Sequence, residues 1–136
     1  MNIEVRYLSK SGNTKKVADA IAEELGVTAK PITFDLPANT DILFLGGAVY
    51  AAGIDKKLKS FIQSLAGKAK QTVVFSTAAI LPSAYPQMKK LLEAEGISVT
   101  KDEFHCRGEF MKLHGGHPNA DDLAKAKQFA RKYVKE

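Results

Sequence analysis

Four consecutive large apolar residues, Ile42-Leu43-Phe44-Leu45, lead into Gly46-Gly47. A strand that is apolar at every position must be covered on both faces, as happens inside a parallel sheet. Thr72-Val73-Val74-Phe75-Ser76-Thr77 is a second run of this kind. Between and around these runs the apolar residues change period. Val17, Ile21 and Leu25 recur at four-residue spacing and end at Gly26. Leu58, Phe61, Ile62 and Leu65 precede Gly67, and Met88, Leu91 and Leu92 precede Gly96. Each set predicts a helix with one apolar stripe.

The remaining segments complete an alternation. Residues 2–8 predict an N-terminal strand and residues 27–32 a second one. Pro31 lacks a donor N–H, so the second strand belongs at an edge. Residues 34–39 are a connection, and Ser98 to Cys106 fits a last strand. Residues 107–118 form a long loop, after which Asn119 can cap a final helix carrying Leu123, Ala126, Ala130 and Tyr133. Five strands alternating with four helices predict an α/β fold, an open parallel sheet with helices on both faces. With 136 residues and no linker, repeat or low-complexity stretch, the expectation is one domain over 1–136.

In such a sheet, ligands bind beyond the carboxyl ends of the strands. Three low-charge loops are expected there: residues 9–14, 47–53 and 77–83. The first, Ser9-Lys10-Ser11-Gly12-Asn13-Thr14, places three hydroxyls, an amide and a glycine at the start of a helix. Helix N-termini present unpartnered N–H groups and positive dipole ends, so the loop suits a phosphate. The other two loops are apolar or small and can lie against a planar ring. Together they describe a mononucleotide site.

Composition narrows the alternatives. The formal charge is +5, with 10 Lys/Arg against 7 Asp/Glu in residues 1–70 and 10 against 8 in residues 71–136. Counted this way the excess is spread along the chain, so no nucleic-acid partner is expected. No apolar run is long enough to span a bilayer, and the first residues lack a signal-peptide pattern. The single cysteine, Cys106, precludes an internal disulfide and suits a cytoplasmic location. His105, Cys106, His114 and His117 match no zinc spacing, so no metal is expected. No Ser-His-Asp arrangement stands out.

The motif Ser9-x-Ser11-Gly12-Asn13-Thr14 resembles the phosphate signature of the flavodoxin family, Thr/Ser-x-Thr/Ser-Gly-Asn/Thr-Thr, at all six positions. Gly47-Ala48-Val49-Tyr50-Ala51 resembles that family's second flavin loop, and Gly116-His117-Pro118-Asn119 is similar to a segment of some members. The resemblance implies a flavodoxin-like, doubly wound five-stranded parallel sheet in the order 2-1-3-4-5, with FMN as cofactor. It implies that Ser9, Ser11 and Thr14 hydroxyls, with backbone N–H groups from Lys10 through Gly12 and Asn13 to Thr14, hold the phosphate. Lys10 would face solvent or help neutralise the dianion. Ala48, Val49 and Tyr50 would flank the ring, with Tyr50 stacked on it. The backbone near Ala51, Ala52 and Gly53 would face flavin N5. Thr77, Ala78, Ala79, Ile80 and Leu81 would line the pyrimidine side, and Tyr85 either touches the ring edge or belongs to the following helix.

The implied role is a one-electron carrier between redox protein partners, a reductase and an acceptor. The alternative is an FMN-dependent oxidoreductase of the quinone reductase or protoporphyrinogen oxidase type. A carrier is favoured over a stand-alone enzyme because the short chain lacks insertions that build a substrate pocket. Many flavodoxins are acidic and stack Trp on the ring. This chain has a pI near 9.3 and no Trp. Fewer negative charges near the ring should make reduction to the anionic flavin less unfavourable.

Overall fold

The structure is a computed structural model and describes residues 1–10, 12–49, 53–78, 83–107, 116 and 118–133. Its elements are β1 (Ile3–Tyr7), α1 (Asn13–Leu25), β2 (Ala29–Pro31), β3 (Thr40–Val49), α2 (Lys56–Gln63), β4 (Ala69–Ala78), α3 (Tyr85–Ala94), β5 (Ser98–Val99), β6 (Phe104–Arg107) and α4 (Ala120–Arg131). All described strand pairs are parallel, in the order β2-β1-β3-β4-β5, with β6 also on β4. This is the expected doubly wound α/β sheet. Pro31 ends the edge strand β2, where its missing N–H breaks no ladder.

The double-sided core explains the unbroken apolar run of β3. Ile42 and Phe44 turn to one face with Val5, Tyr7, Val73 and Phe75, under α1 and α4. Leu43 and Leu45 turn to the other with Val74, under α2 and α3. Val17 and Ile21 of α1, and Leu58 and Ile62 of α2, are fully shielded or nearly so. Strand alternation puts successive side chains on opposite faces, so a strand in mid-sheet needs apolar residues at every position.

Three boundaries differ from the sequence reading. The segments 47–53 and 77–83, expected as loops, begin as strand: Ala48 pairs with Thr77 and Val49 with Ala78. The small residues that resemble a turn are there for packing. A Cβ added at Gly46 would overlap the Phe75 ring, and one at Gly47 would overlap Leu58 Cδ2. The last strand is broken in two. Thr72 pairs with Val99 and Phe75 with Phe104, so five chain steps match three on β4. The extra residues form a bulge in which Thr100 N–H donates to Thr72 O (3.0 Å) and Thr100 Oγ1 to Asp102 O (2.8 Å).

Thr72 itself is completely buried, and its Oγ1 has no hydrogen-bond partner among the described residues. An orphaned hydroxyl carries a desolvation cost that a methyl of the same shape does not. Thr72→Val is therefore expected to raise stability by about 1 kcal/mol, read as a higher urea midpoint at unchanged slope. No helix among the described residues is long and apolar enough to cross a membrane.

Candidate functional site

The winding reverses between β1 and β3, because β1 leads through α1 to β2 on one side and the chain then returns to β3 on the other. Residues 8–10 leave the carboxyl end of β1 at this point, and Gly12 leads into α1. Gly12 stands as the N-cap of α1 with φ 90°, a left-handed conformation natural to glycine, and an added Cβ would meet nothing within 4 Å. Having no side chain, Gly12 cannot cap the helix. The contrast with two other helices is informative. Asp55 caps α2 by accepting from Lys57 N–H at 2.7 Å, and Asn119 caps α4 in a reciprocal box with Asp122. The start of α1 lacks such a cap from its own N-cap residue.

The hydroxyls around this turn are arranged in two ways. Ser9 Oγ accepts from the Gly12 N–H (3.0 Å), which folds the loop back on itself. Thr14 Oγ1 lies 2.9 Å from Thr77 Oγ1, both residues almost fully buried. That contact ties the first turn of α1 to the carboxyl end of β4 and brings two of the sequence-predicted loops together. A hydroxyl has one donor and two acceptor sites, so one member of this pair keeps a proton to offer elsewhere. The donor set, hydroxyls and a helix N-terminus on an open glycine turn, fits a phosphate.

Lys10 faces solvent, with 61% of its side chain exposed, and is also ion-paired. Its Nζ lies 2.7 Å from Asp55 Oδ2, while Asp55 also caps α2. Lys10, and then the Lys57 N–H, hold the Asp55 carboxyl below its ordinary 3.8. Since the folded value is the lower one, the tie is complete above the ordinary carboxylate range and is lost as acid protonates Asp55. Asp55 was not singled out in the sequence, although Asp just ahead of an amphipathic helix is a readable cap signal. Gly53 adopts φ 97°, and a Cβ there would come within 2.8 Å of Gln87 Oε1. Gln87 Oε1 accepts from Ile54 N–H at 3.2 Å, so α3 holds the chain as it enters α2. No sequence signal marks Gln87.

Ala48 is half-buried beside Thr77 in the sheet, and the backbones of Val49 and Ala78 extend the same ladder. Asn13 is buried at the first position of α1. Ser11, Tyr50, Ala51, Ala52, Ala79, Ile80 and Leu81 lie outside the described residues, as do His114 and His117. Tyr85 opens α3, and its hydroxyl donates to Thr100 O, which places it on the helix. Burial raises its phenol above the ordinary value.

Nearby, Ser83 Oγ donates to Glu103 Oε1 (2.7 Å) and Glu103 Oε2 meets His105 Nδ1 (3.0 Å). Here the carboxylate stands between serine and imidazole, whereas activation of a serine requires the imidazole in the middle. Cys106 lies on β6 against the α1–α4 face of the core. Burial, with a contribution from Asp122, pushes its thiol up to about 12. The thiolate is the reactive form. Modification by a disulfide reagent at pH 8 is expected to be at least about 100-fold slower in the folded protein than in urea.

The profile of the Flavodoxin domain family matches residues 5–112, which include the glycine turn, the Thr14–Thr77 contact and the Lys10–Asp55 pair. The chain belongs to the flavodoxin family. An uncharacterised protein of Methanocaldococcus jannaschii is 31% identical over 137 residues, covering 90% of this chain and 91% of that protein. Among solved structures, a flavodoxin from the domain Archaea superposes with a TM-score of 0.81 at 19% identity, covering 100% of both chains. Oxidised Flavodoxin 1 from Bacillus cereus gives 0.73 at 22% identity, covering 100% of this chain and 99% of that one. These flavodoxins are similar in fold along the full length of the chain. Among the described residues, no group of three His, Cys, Asp or Glu is placed to hold a metal.

Proposed function

We propose that the protein, acting as a single domain over residues 1–136, binds FMN and carries electrons one at a time between redox proteins. The observation that carries this reading is the start of α1. Its N-cap position is a glycine in the left-handed region that offers no side-chain cap, braced by Ser9, and its first turn is joined through Thr14 to Thr77, in a member of the flavodoxin family.

In this reading the chain's residues do four things. Gly12 lets the backbone approach the phosphate, and the dipole of α1 favours its charge. The Thr14–Thr77 pair supplies a hydroxyl donor from buried positions. Ser11 completes the hydroxyl set, with N–H groups from Lys10 to Thr14 other than that of Gly12, which donates to Ser9 Oγ. Ala48 to Gly53 and Thr77 to Leu81 flank the isoalloxazine ring, with Tyr50 stacked on it. When bound, FMN supplies exchange of single electrons, and the protein supplies binding, orientation and exclusion of water. Lys10 acts on the site through its link to Asp55 at the start of α2.

An anaerobic reductive titration of the FMN-loaded protein tests the carrier role. Two resolved one-electron steps, with no turnover of NAD(P)H and quinone, are the expected result. Catalytic turnover of that pair by the purified protein would instead favour a flavin oxidoreductase.

A further inference from the structure

The fold gathers charge that looks dispersed along the sequence. Residues 10–19 hold three lysines and one aspartate, and residues 53–63 hold three lysines and one aspartate. These two segments therefore account for +4 of the chain's +5. They contain the starts of α1 and α2, which lie on opposite faces of the sheet but meet at its carboxyl edge through the Lys10–Asp55 pair. Lys15 is paired with Asp19 at 2.6 Å. Lys16, Lys56, Lys57 and Lys59 are exposed and form no ion pair among the described residues. The N-terminal ends of the two helix dipoles add to the same positive potential. A phosphate monoester bound in the loop carries about −2 and offsets only part of it. The rest of the chain, at +1, is close to balanced.

We propose that this end of the molecule is a docking face for a protein partner whose contact surface is acidic. The proposal deepens the electron-carrier reading and rests on it for the partner being a redox protein. Net positive charge concentrated at one rim raises the encounter rate with an oppositely charged surface and turns the incoming molecule toward that rim. The chemistry favours a protein over a nucleic acid. The six basic residues of the two segments are all lysines, compact hydrated charges on flexible stems that lack the planar arginine fork suited to phosphate. The approach is thus to the same end as the glycine turn, the shortest route to a bound cofactor.

The test is a titration of the ¹⁵N-labelled protein, with and without FMN, by an acidic plant-type ferredoxin at low salt, followed by amide chemical shifts. The expected shifts cluster on Lys10, Lys16 and Lys56 to Lys59 and vanish at high salt. Lys56→Glu/Lys57→Glu is expected to weaken the interaction at least about 10-fold, since Glu also suits the first turn of a helix and the fold should persist. Lys68→Glu/Lys101→Glu makes the same change in net charge toward the amino half of the sheet and should weaken it by less than about 3-fold. Equal effects of the two variants, shifts centred elsewhere, or no saturable shifts would overturn the proposal. So would tighter, salt-sensitive binding of duplex DNA to the same amides. Failure to bind FMN would overturn the carrier reading alone, because the shift map and both variants are also measured without FMN.

Discussion

Gly12→Asp is expected to reduce FMN affinity by at least about 100-fold while leaving the protein folded. The residue stands in the left-handed region, which aspartate tolerates better than most side chains, and its Cβ would enter open space. The new carboxylate would sit at the positive end of α1 and compete for the phosphate's position. Conformational strain and the favourable charge–dipole term offset one another, so stability should change by no more than about 1 kcal/mol. Fluorescence quenching of FMN measures the affinity, and thermal unfolding of the FMN-free protein measures the fold. Gly12→Ala separates the contributions: it introduces strain without charge and should weaken binding far less.

Arg6→Ala is expected to lose about 3 kcal/mol of stability, or roughly 10 °C in Tm for a chain of this size. Arg6 lies in the sheet with only 2% of its surface exposed. Its guanidinium donates to the carbonyls of Phe34 (3.2 Å), Val5 (3.1 Å) and Asp35 (2.9 Å) and lies 2.8 Å from Glu4 Oε1. Strand alternation turns it away from Val5 and Tyr7, toward the face where Leu36 joins the core. It thereby pins the connection from β2 to β3 onto the sheet. Arg6→Met would restore most of the packed volume without the donors, and an intermediate loss is expected. Equilibrium urea unfolding of the three proteins distinguishes lost hydrogen bonds from lost packing.

The architecture was legible because its signals were periodic. Consecutive apolar residues in β3 and β4 required two covered faces, and four-residue stripes marked α1 and α2. The glycine turn was legible because residue types at fixed spacing coincided with the end of a strand. Where glycine and alanine served packing, their local preference misled: Gly47 and Ala48, expected in a loop, are strand positions, with Gly47 packed under Leu58, a partner some ten residues away. Arg6 falls in the predicted N-terminal strand, where nothing in its own segment marks it as buried, and the carbonyls of a distant connection make its burial stable. The basic rim was hidden for the same reason. Dividing the chain into halves averages the charge, whereas the Lys10–Asp55 contact joins two segments separated by more than forty residues.

Comparison of FMN with riboflavin bears most directly on the claim that the turn before α1 anchors a cofactor by its phosphate. The two ligands share the isoalloxazine ring and the ribityl chain, and they differ in the group placed at Gly12. FMN is expected to bind at least about 100-fold more tightly than riboflavin, a difference of about 2.7 kcal/mol, in titrations followed by flavin fluorescence. Equal affinities for the two, or no binding of either, would contradict the account.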